Sequence, residues 1–112
     1  MDKKHVSQLT QSEFQAIWIR LKGIKPTFSQ HAIERMADKG IAQSCITGHV
    51  KLIEFNRHNG DSRALLRQSD GICYSVSLIS GEIITVYYNV PSDNHSTIDW
   101  TQYNTSLPVA GW

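Results

Sequence analysis

The sequence predicts a single α+β domain in which two or three N-terminal helices pack on a four-stranded antiparallel meander sheet. Apolar residues recur every three to four positions up to about residue 50, then alternate with polar ones as far as residue 90. A chain of 112 residues is long enough for one core and too short for two. We expect that core at about residues 10–90, with 91–112 forming a polar tail.

The first predicted helix covers residues 11–22. Thr10 and Glu13 have the spacing of a capping box, in which each residue's side chain bonds the other's backbone N–H. Its apolar face has helical spacing: Phe14, Ile17, Trp18 and Leu21. Gly23 ends this helix because glycine favours helix C-termini.

The second predicted helix covers residues 30–39, with Ser29 as its N-cap and Gly40 as its stop. Helical spacing continues weakly after Gly40 and predicts a third, shorter helix over about 42–49. That helix would direct three residues inward: Cys45, Ile46 and Val50.

Four predicted strands follow, over residues 52–57, 63–68, 72–79 and 83–90. Short turns rich in Asn, Asp, Ser and Gly separate them, which is typical of hairpins in an antiparallel meander. Alternation predicts one apolar face, which meets the helices, and an opposite face that carries hydroxyl groups. The hydroxyl-bearing residues of that second face are Ser75, Ser77, Thr85 and Tyr87.

The charge is unevenly distributed along the chain. Residues 1–67 hold all 11 basic residues and six acidic ones, whereas residues 68–112 hold four acidic residues and no Lys or Arg. A basic half of this kind can meet a polyanion. Three arginines of the first hairpin are candidate RNA-binding residues: Arg57, Arg63 and Arg67. The alternative is an edge hairpin that charge keeps soluble.

Several functional classes are excluded by composition. Two cysteines are too few for a disulfide scaffold, and the five histidines lack metal-ligand spacing, so neither a metal nor a cofactor is predicted. No apolar run approaches the roughly 20 residues of a membrane span, and no secretory signal follows the N-terminal lysines. We therefore expect a cytoplasmic protein that does not associate with membranes.

His31 and Arg35 are the most informative pair for chemistry. Their spacing of four places them on one side of the second helix. The positive end of a helix favours neutral imidazole, which can act as a general base, and a guanidinium can hold a phosphate. The alternative is a surface histidine, with Arg35 paired to Glu34 or Asp38.

Residues 28–41 read F-S-Q-H-A-I-E-R-M-A-D-K-G-I, and residues 83–87 read I-I-T-V-Y. This combination resembles a small bacterial and phage domain family with the motif F-S-x-H-A-x-x-R-M. That family is similar to the BECR superfamily, which joins barnase, EndoU, colicin and RelE-type ribonucleases and includes many toxins. The resemblance covers about residues 26–90, with Lys39 standing where the family often has Arg.

The resemblance implies a metal-independent ribonuclease of toxin type that cleaves tRNA or mRNA by attack of a ribose 2′-hydroxyl on the adjacent phosphate. It implies His31 as acid or base and Arg35 as phosphate or structural partner. It implies Thr85 and Tyr87 as substrate-positioning hydroxyls, and an antitoxin or immunity protein as partner. Two alternatives stay open: a non-catalytic phage or bacterial accessory protein of the same fold that binds a host protein or nucleic acid, and a housekeeping interaction domain.

Overall fold

A computed structural model describes residues 2–5, 8–88 and 107–108 of the chain. These residues form an α+β fold whose helices and strands are β1 (Asp2–His5), α1 (Gln11–Lys22), β2 (Thr27–Phe28), α2 (Gln30–Lys39), β3 (His49–His58), β4 (Asp61–Arg67), β5 (Ile72–Ser77), β6 (Glu82–Tyr88) and β7 (Leu107–Pro108). The tail predicted at 91–112 lies outside the described residues, apart from β7. Neither described helix is long and apolar enough to cross a membrane.

Both principal helices begin and end at the predicted residues because their caps form. The Glu13 backbone N–H donates to Thr10 Oγ1 at 3.1 Å, and the Thr10 N–H donates to Glu13 Oε1 at 3.0 Å. At α2, the Ala32 N–H donates to Ser29 Oγ at 3.0 Å. Gly40 then ends α2 in the left-handed conformation, with φ of 68°.

The predicted third helix is wrong, since residues 43–45 form only a short 3₁₀ turn. Gly48 adopts a φ of 75°, which stops helical continuation. The backbone N–H groups of Thr47 and Gly48 donate to side chains of the sheet instead of to helical carbonyls. Cys45 is exposed, contrary to the prediction, whereas Ile46 and Val50 are buried as predicted.

The sheet has the strand order β1-β3-β4-β5-β6-β2, and β7 also pairs with β3. The four predicted strands pair antiparallel in chain order, and the two-residue turn Asn59-Gly60 has positive φ at both positions. The sheet as a whole is mixed because β2 runs parallel to β6. The prediction of four antiparallel strands was therefore too narrow: β1 and β2 have four and two residues, too few to show alternation.

Both helices cover the same face of the sheet. One continuous core joins residues of the helices to residues of the strands: Ile17, Leu21, Ala32, Met36, Leu52, Leu66, Tyr74, Val76, Ile83 and Val86. On the last two strands Tyr74 lies opposite Val86, whereas Ser75 lies opposite Thr85. Because side chains alternate along a strand, the Ser75–Thr85 pair belongs to the face away from the helices. The predicted division of apolar and hydroxyl faces is thus observed here.

Candidate functional site

Three basic or titratable side chains line one flank of α2. His31, Arg35 and Lys39 recur every four residues and therefore follow one another along the helix; we call these three residues the α2 flank. All three are exposed, and none makes a hydrogen bond or ion pair with a described residue. The alternative pairing of Arg35 with Glu34 or Asp38 is not observed, and Glu34 Oε1 accepts a hydrogen bond from Gln30 at 3.3 Å.

Thr85 and Tyr87 lie on the opposite side of the sheet from α2. In the register of β6 they face Ser75 and Cys73, whereas α2 packs on the face that carries Val86. Neither hydroxyl makes a hydrogen bond with a described residue. The four residues that the resemblance implies as catalytic are thus separated into two pairs, because the helices occupy the other sheet face.

The hydroxyl face holds two protonated groups at neutral pH. Burial, together with smaller contributions from the nearby Cys73 and Glu54, raises the pKa of Tyr87 to about 12. Burial likewise raises the pKa of the Cys73 thiol to about 12. Tyr87 can therefore donate a hydrogen bond but cannot serve as a base, and Cys73 is not an activated nucleophile. Cys73 and Cys45 are both free thiols.

The three candidate RNA-binding arginines do not form one surface. Arg63 and Arg67 share the hydroxyl face, because their register partners on β5 are Ser77 and Cys73. Arg57 belongs to the helix-covered face, since its guanidinium lies 5.7 Å from the centre of the Phe55 ring.

Arg63 and Arg67 are also engaged within the fold. Arg63 Nε lies 3.0 Å from Asp61 Oδ2, and Ser77 Oγ donates to Asp61 Oδ1 at 2.8 Å. Burial alone would raise the pKa of Asp61, but the hydrogen bonds from Arg63 and Ser77 outweigh it and lower that pKa. Arg67 Nη1 donates to the Gln68 carbonyl at 3.2 Å. Both arginines thus contribute to the structure of the sheet.

A buried polar cluster around Gln68 was not foreseen from the sequence. Gln68 is 3% exposed, and its Oε1 accepts hydrogen bonds from the Thr47 N–H at 2.7 Å and the Tyr74 hydroxyl at 3.0 Å. Its Nε2 donates to the Cys45 carbonyl at 2.9 Å. The signal was present, because Gln68 stands two residues after buried Leu66 and so shares its face. This cluster fastens the 42–48 segment to the sheet.

A groove of about 320 Å³ separates α1 from the sheet. Its apolar lining consists of Leu9, Ala16, Ile17, Phe55, Leu78 and Ile79. Three charged residues, Glu13, Arg20 and Arg57, also line it. Arg57 is exposed and makes no hydrogen bond or ion pair with a described residue, so its cation is available to a ligand. Reasoning from the sequence found Arg57 but not the groove, because α1 and β3 are distant in the chain.

Among the residues that the structure describes, no three His, Cys, Asp or Glu side chains are grouped to hold a metal ion. The chain matches no known protein-family model, no curated protein and no solved structure.

Proposed function

We propose that this protein is an RNA-binding domain that contacts RNA phosphates through the α2 flank and does not cleave the RNA. The observation that carries the proposal is the availability of His31, Arg35 and Lys39, which are exposed and have no partner among the described residues. Cationic side chains without internal partners bind phosphate without first breaking an ion pair.

The geometry of α2 suits a phosphate backbone. At 1.5 Å per residue, the flank extends along the helix for about 12 Å. His31 lies in the first turn, where the unpaired N–H groups and the helix dipole favour an anion. Glu34 and Asp38 lie on the neighbouring solvent-facing side of α2.

The BECR-like fold is part of the same proposal. Two helices followed by a four-stranded meander agree with the arrangement that the resemblance implies, and this order supports it. The separation of the α2 flank from Thr85 and Tyr87 favours the non-catalytic form, an accessory or adaptor protein of that fold.

A metal-independent ribonuclease of toxin type is the second candidate, and the pairing of His31 with Arg35 on one helix side favours it. The His31 imidazole would accept the proton of a ribose 2′-hydroxyl as that oxygen attacks the adjacent phosphorus. The bond between phosphorus and the 5′-oxygen would break, giving a 2′,3′-cyclic phosphate and a 5′-hydroxyl that takes its proton from water, while Arg35 would stabilise the charge developing on the phosphoryl oxygens. An antitoxin or immunity protein is the partner expected for this candidate.

Fluorescence anisotropy with labelled single-stranded and stem-loop RNA, measured across a range of KCl concentrations, tests the proposal. We expect the logarithm of the binding constant to fall linearly with the logarithm of the salt concentration. The slope for Arg35→Gln should decrease by about 1 because one phosphate contact is lost. Lys22→Gln is the control, since Lys22 is an exposed cation of α1 that lies over the Trp18 ring.

Equal slopes for Arg35→Gln and the wild type would contradict binding through the α2 flank. If the wild type did not bind RNA even at low salt, the RNA-binding proposal would be refuted. A housekeeping interaction domain would then be the remaining interpretation. Incubation of total RNA with EDTA separates the two candidates: cleavage by the wild type that His31→Ala abolishes would establish the ribonuclease and refute the non-catalytic proposal.

A further inference from the structure

The groove between α1 and the sheet is held open by a polar contact at each end. Near the start of α1, Glu13 Oε2 lies 3.0 Å from Lys4 Nζ of β1. Near its end, Arg20 donates to the carbonyl oxygens of Leu78 and Ile79 in the turn between β5 and β6. Glu13 and Arg20 are seven residues apart, which corresponds to about 10 Å along the helix axis. Between these contacts α1 does not fill the space above Phe55.

The small side chain of Ala16 explains why the groove is empty at its middle. Ala16 and Ile17 line the groove from α1, and Phe55 lines it from β3. Ala16 is exposed, so its methyl group leaves a gap that a larger residue would occupy without entering the core. The volume of about 320 Å³ falls at the lower end of the range of small-molecule sites.

Two of the three charged residues that line the groove are arginines, Arg20 and Arg57. Ser62, the register partner of Arg57, accepts a hydrogen bond from the Leu78 N–H at 2.7 Å through its carbonyl oxygen. The Leu78 carbonyl in turn accepts from Arg20. These contacts join the strand position opposite Arg57 to the backbone that Arg20 binds, and the Arg57 guanidinium itself lies over the Phe55 ring.

The carboxylate of Glu13 does not cancel this charge. Hydrogen bonds from the Thr10 backbone and from Lys4 lower the pKa of Glu13 to about 2, so it is ionised at neutral pH and already paired with the Lys4 ammonium. Arg57, in contrast, lies over the Phe55 ring as a cation–π partner and forms no ion pair with any side chain that the structure describes. The groove therefore offers an apolar channel lined by a guanidinium that no described acidic side chain neutralises.

We propose that this groove binds a small aliphatic carboxylate, with the carboxylate on Arg57 and the hydrocarbon chain along Phe55 and Ala16 toward Leu9. A guanidinium binds a carboxylate through two parallel N–H donors, which is the strongest pairing available to this anion. The aliphatic lining gives a hydrocarbon chain a dry surface. An RNA base suits the groove less well, because the apolar lining offers few groups for the polar edges of a base.

Isothermal titration calorimetry with octanoate and decanoate, kept below micelle-forming concentrations, tests this site on the full chain. We expect decanoate to bind more tightly than octanoate, because it buries more hydrocarbon. Arg57→Gln should weaken decanoate binding by roughly tenfold or more, because a charge-assisted hydrogen bond is lost. Ala16→Leu should abolish it by filling the channel.

Matched controls keep the test decisive. Gln15→Leu adds the same side chain at the exposed neighbouring position of α1, and Arg35→Gln removes an exposed cation outside the groove; both should bind decanoate like the wild type. Urea unfolding of each variant confirms that the fold is retained. Absence of binding to the wild type, equal binding of decanol, or undiminished binding by both Arg57→Gln and Ala16→Leu would overturn the proposal. Displacement of decanoate by an RNA oligonucleotide in the Arg35→Gln variant would also overturn it, since RNA would then be the occupant of the groove.

Discussion

The Gln68 cluster and the α2 flank are two polar regions that the fold treats in opposite ways. Gln68 is buried, and its amide oxygen and nitrogen both have hydrogen-bond partners among Thr47, Tyr74 and Cys45. The three side chains of the α2 flank are exposed and have no partner among the described residues. Buried polar groups that are hydrogen-bonded, such as the Gln68 amide, stabilise the fold. Exposed side chains such as those of the α2 flank can bind a ligand without lowering the free energy of unfolding.

The substitution Gln68→Leu should have the largest effect on stability. Leucine is similar in size, but the Thr47 N–H, the Cys45 carbonyl and the Tyr74 hydroxyl would each lose a partly or fully buried hydrogen bond to Gln68. We expect the free energy of unfolding to fall by about 2–4 kcal/mol, measured by urea denaturation. Gln15→Leu, at an exposed position of α1, is the control. Equal stability of Gln68→Leu and wild type would mean that the cluster does not hold the 42–48 segment.

The substitution Arg20→Met tests the same difference between engaged and free polar groups, because it removes a cation that is hydrogen-bonded within the fold. Arg20 donates to two backbone carbonyls, those of Leu78 and Ile79, although it lies near the surface. We expect a loss of about 1–2 kcal/mol in the free energy of unfolding. Arg35→Met removes a cation of α2 that has no partner among the residues the structure describes, and should change the free energy of unfolding by less than about 0.5 kcal/mol. If Arg35→Met lowered the free energy of unfolding more than Arg20→Met, then Arg35 and not Arg20 would be the arginine that stabilises the fold.

Features of the fold that depend on residues close in the sequence were predictable, whereas features that depend on distant residues were not. The ends of α1 and α2 were predictable because Thr10, Ser29 and Gly40 act within a few residues of themselves. The hydroxyl face followed from alternation. The third helix failed because side chains from distant strands capture the N–H groups of Thr47 and Gly48, which no local pattern reveals.

The arrangement of the candidate site residues was less predictable than the fold. Alternation already assigned Thr85 and Tyr87 to the face away from the helices, so their separation from His31 was implied by the same pattern. The bulges in β3 and β6 interrupt alternation at Ile53 and Ile84, and they depend on pairing between strands. The groove beside Arg57 depends on the placement of α1 over β3, a contact distant in sequence.

The hydrogen-bonded carboxylates of Asp61 and Glu13 should make a smaller contribution to the free energy of unfolding, which acidification would reveal. The folded pKa of Asp61 lies below its ordinary value of 3.8, and that of Glu13 falls from 4.5 to about 2. A lowered folded pKa gives stability that is present above the unfolded pKa and lost as the pH falls through the folded pKa. We therefore expect the free energy of unfolding to decrease from about pH 4.5 toward pH 2.

Urea titrations at several pH values measure this slope. Asp61→Asn should flatten it, because asparagine retains the size of the side chain but does not titrate, while the stability at pH 7 falls with the loss of the Arg63 ion pair. Glu34→Gln is the matched control, since Glu34 is exposed on α2. An unchanged slope in Asp61→Asn would show that Asp61 does not contribute to acid sensitivity.

The double substitution Arg35→Gln with Lys39→Gln should have the smallest effect on stability and so tests the comparison most directly. Neither side chain has a partner among the described residues, and glutamine is a good helix former, so the free energy of unfolding should change by less than about 0.5 kcal/mol. The salt dependence of RNA binding should nonetheless weaken by about two phosphate contacts. A loss of stability comparable to that of Gln68→Leu would show that the α2 flank belongs to the framework of the fold. Unchanged stability together with an altered salt dependence of RNA binding would show that the α2 flank affects binding without affecting folding. The Gln68 cluster, in contrast, would affect folding.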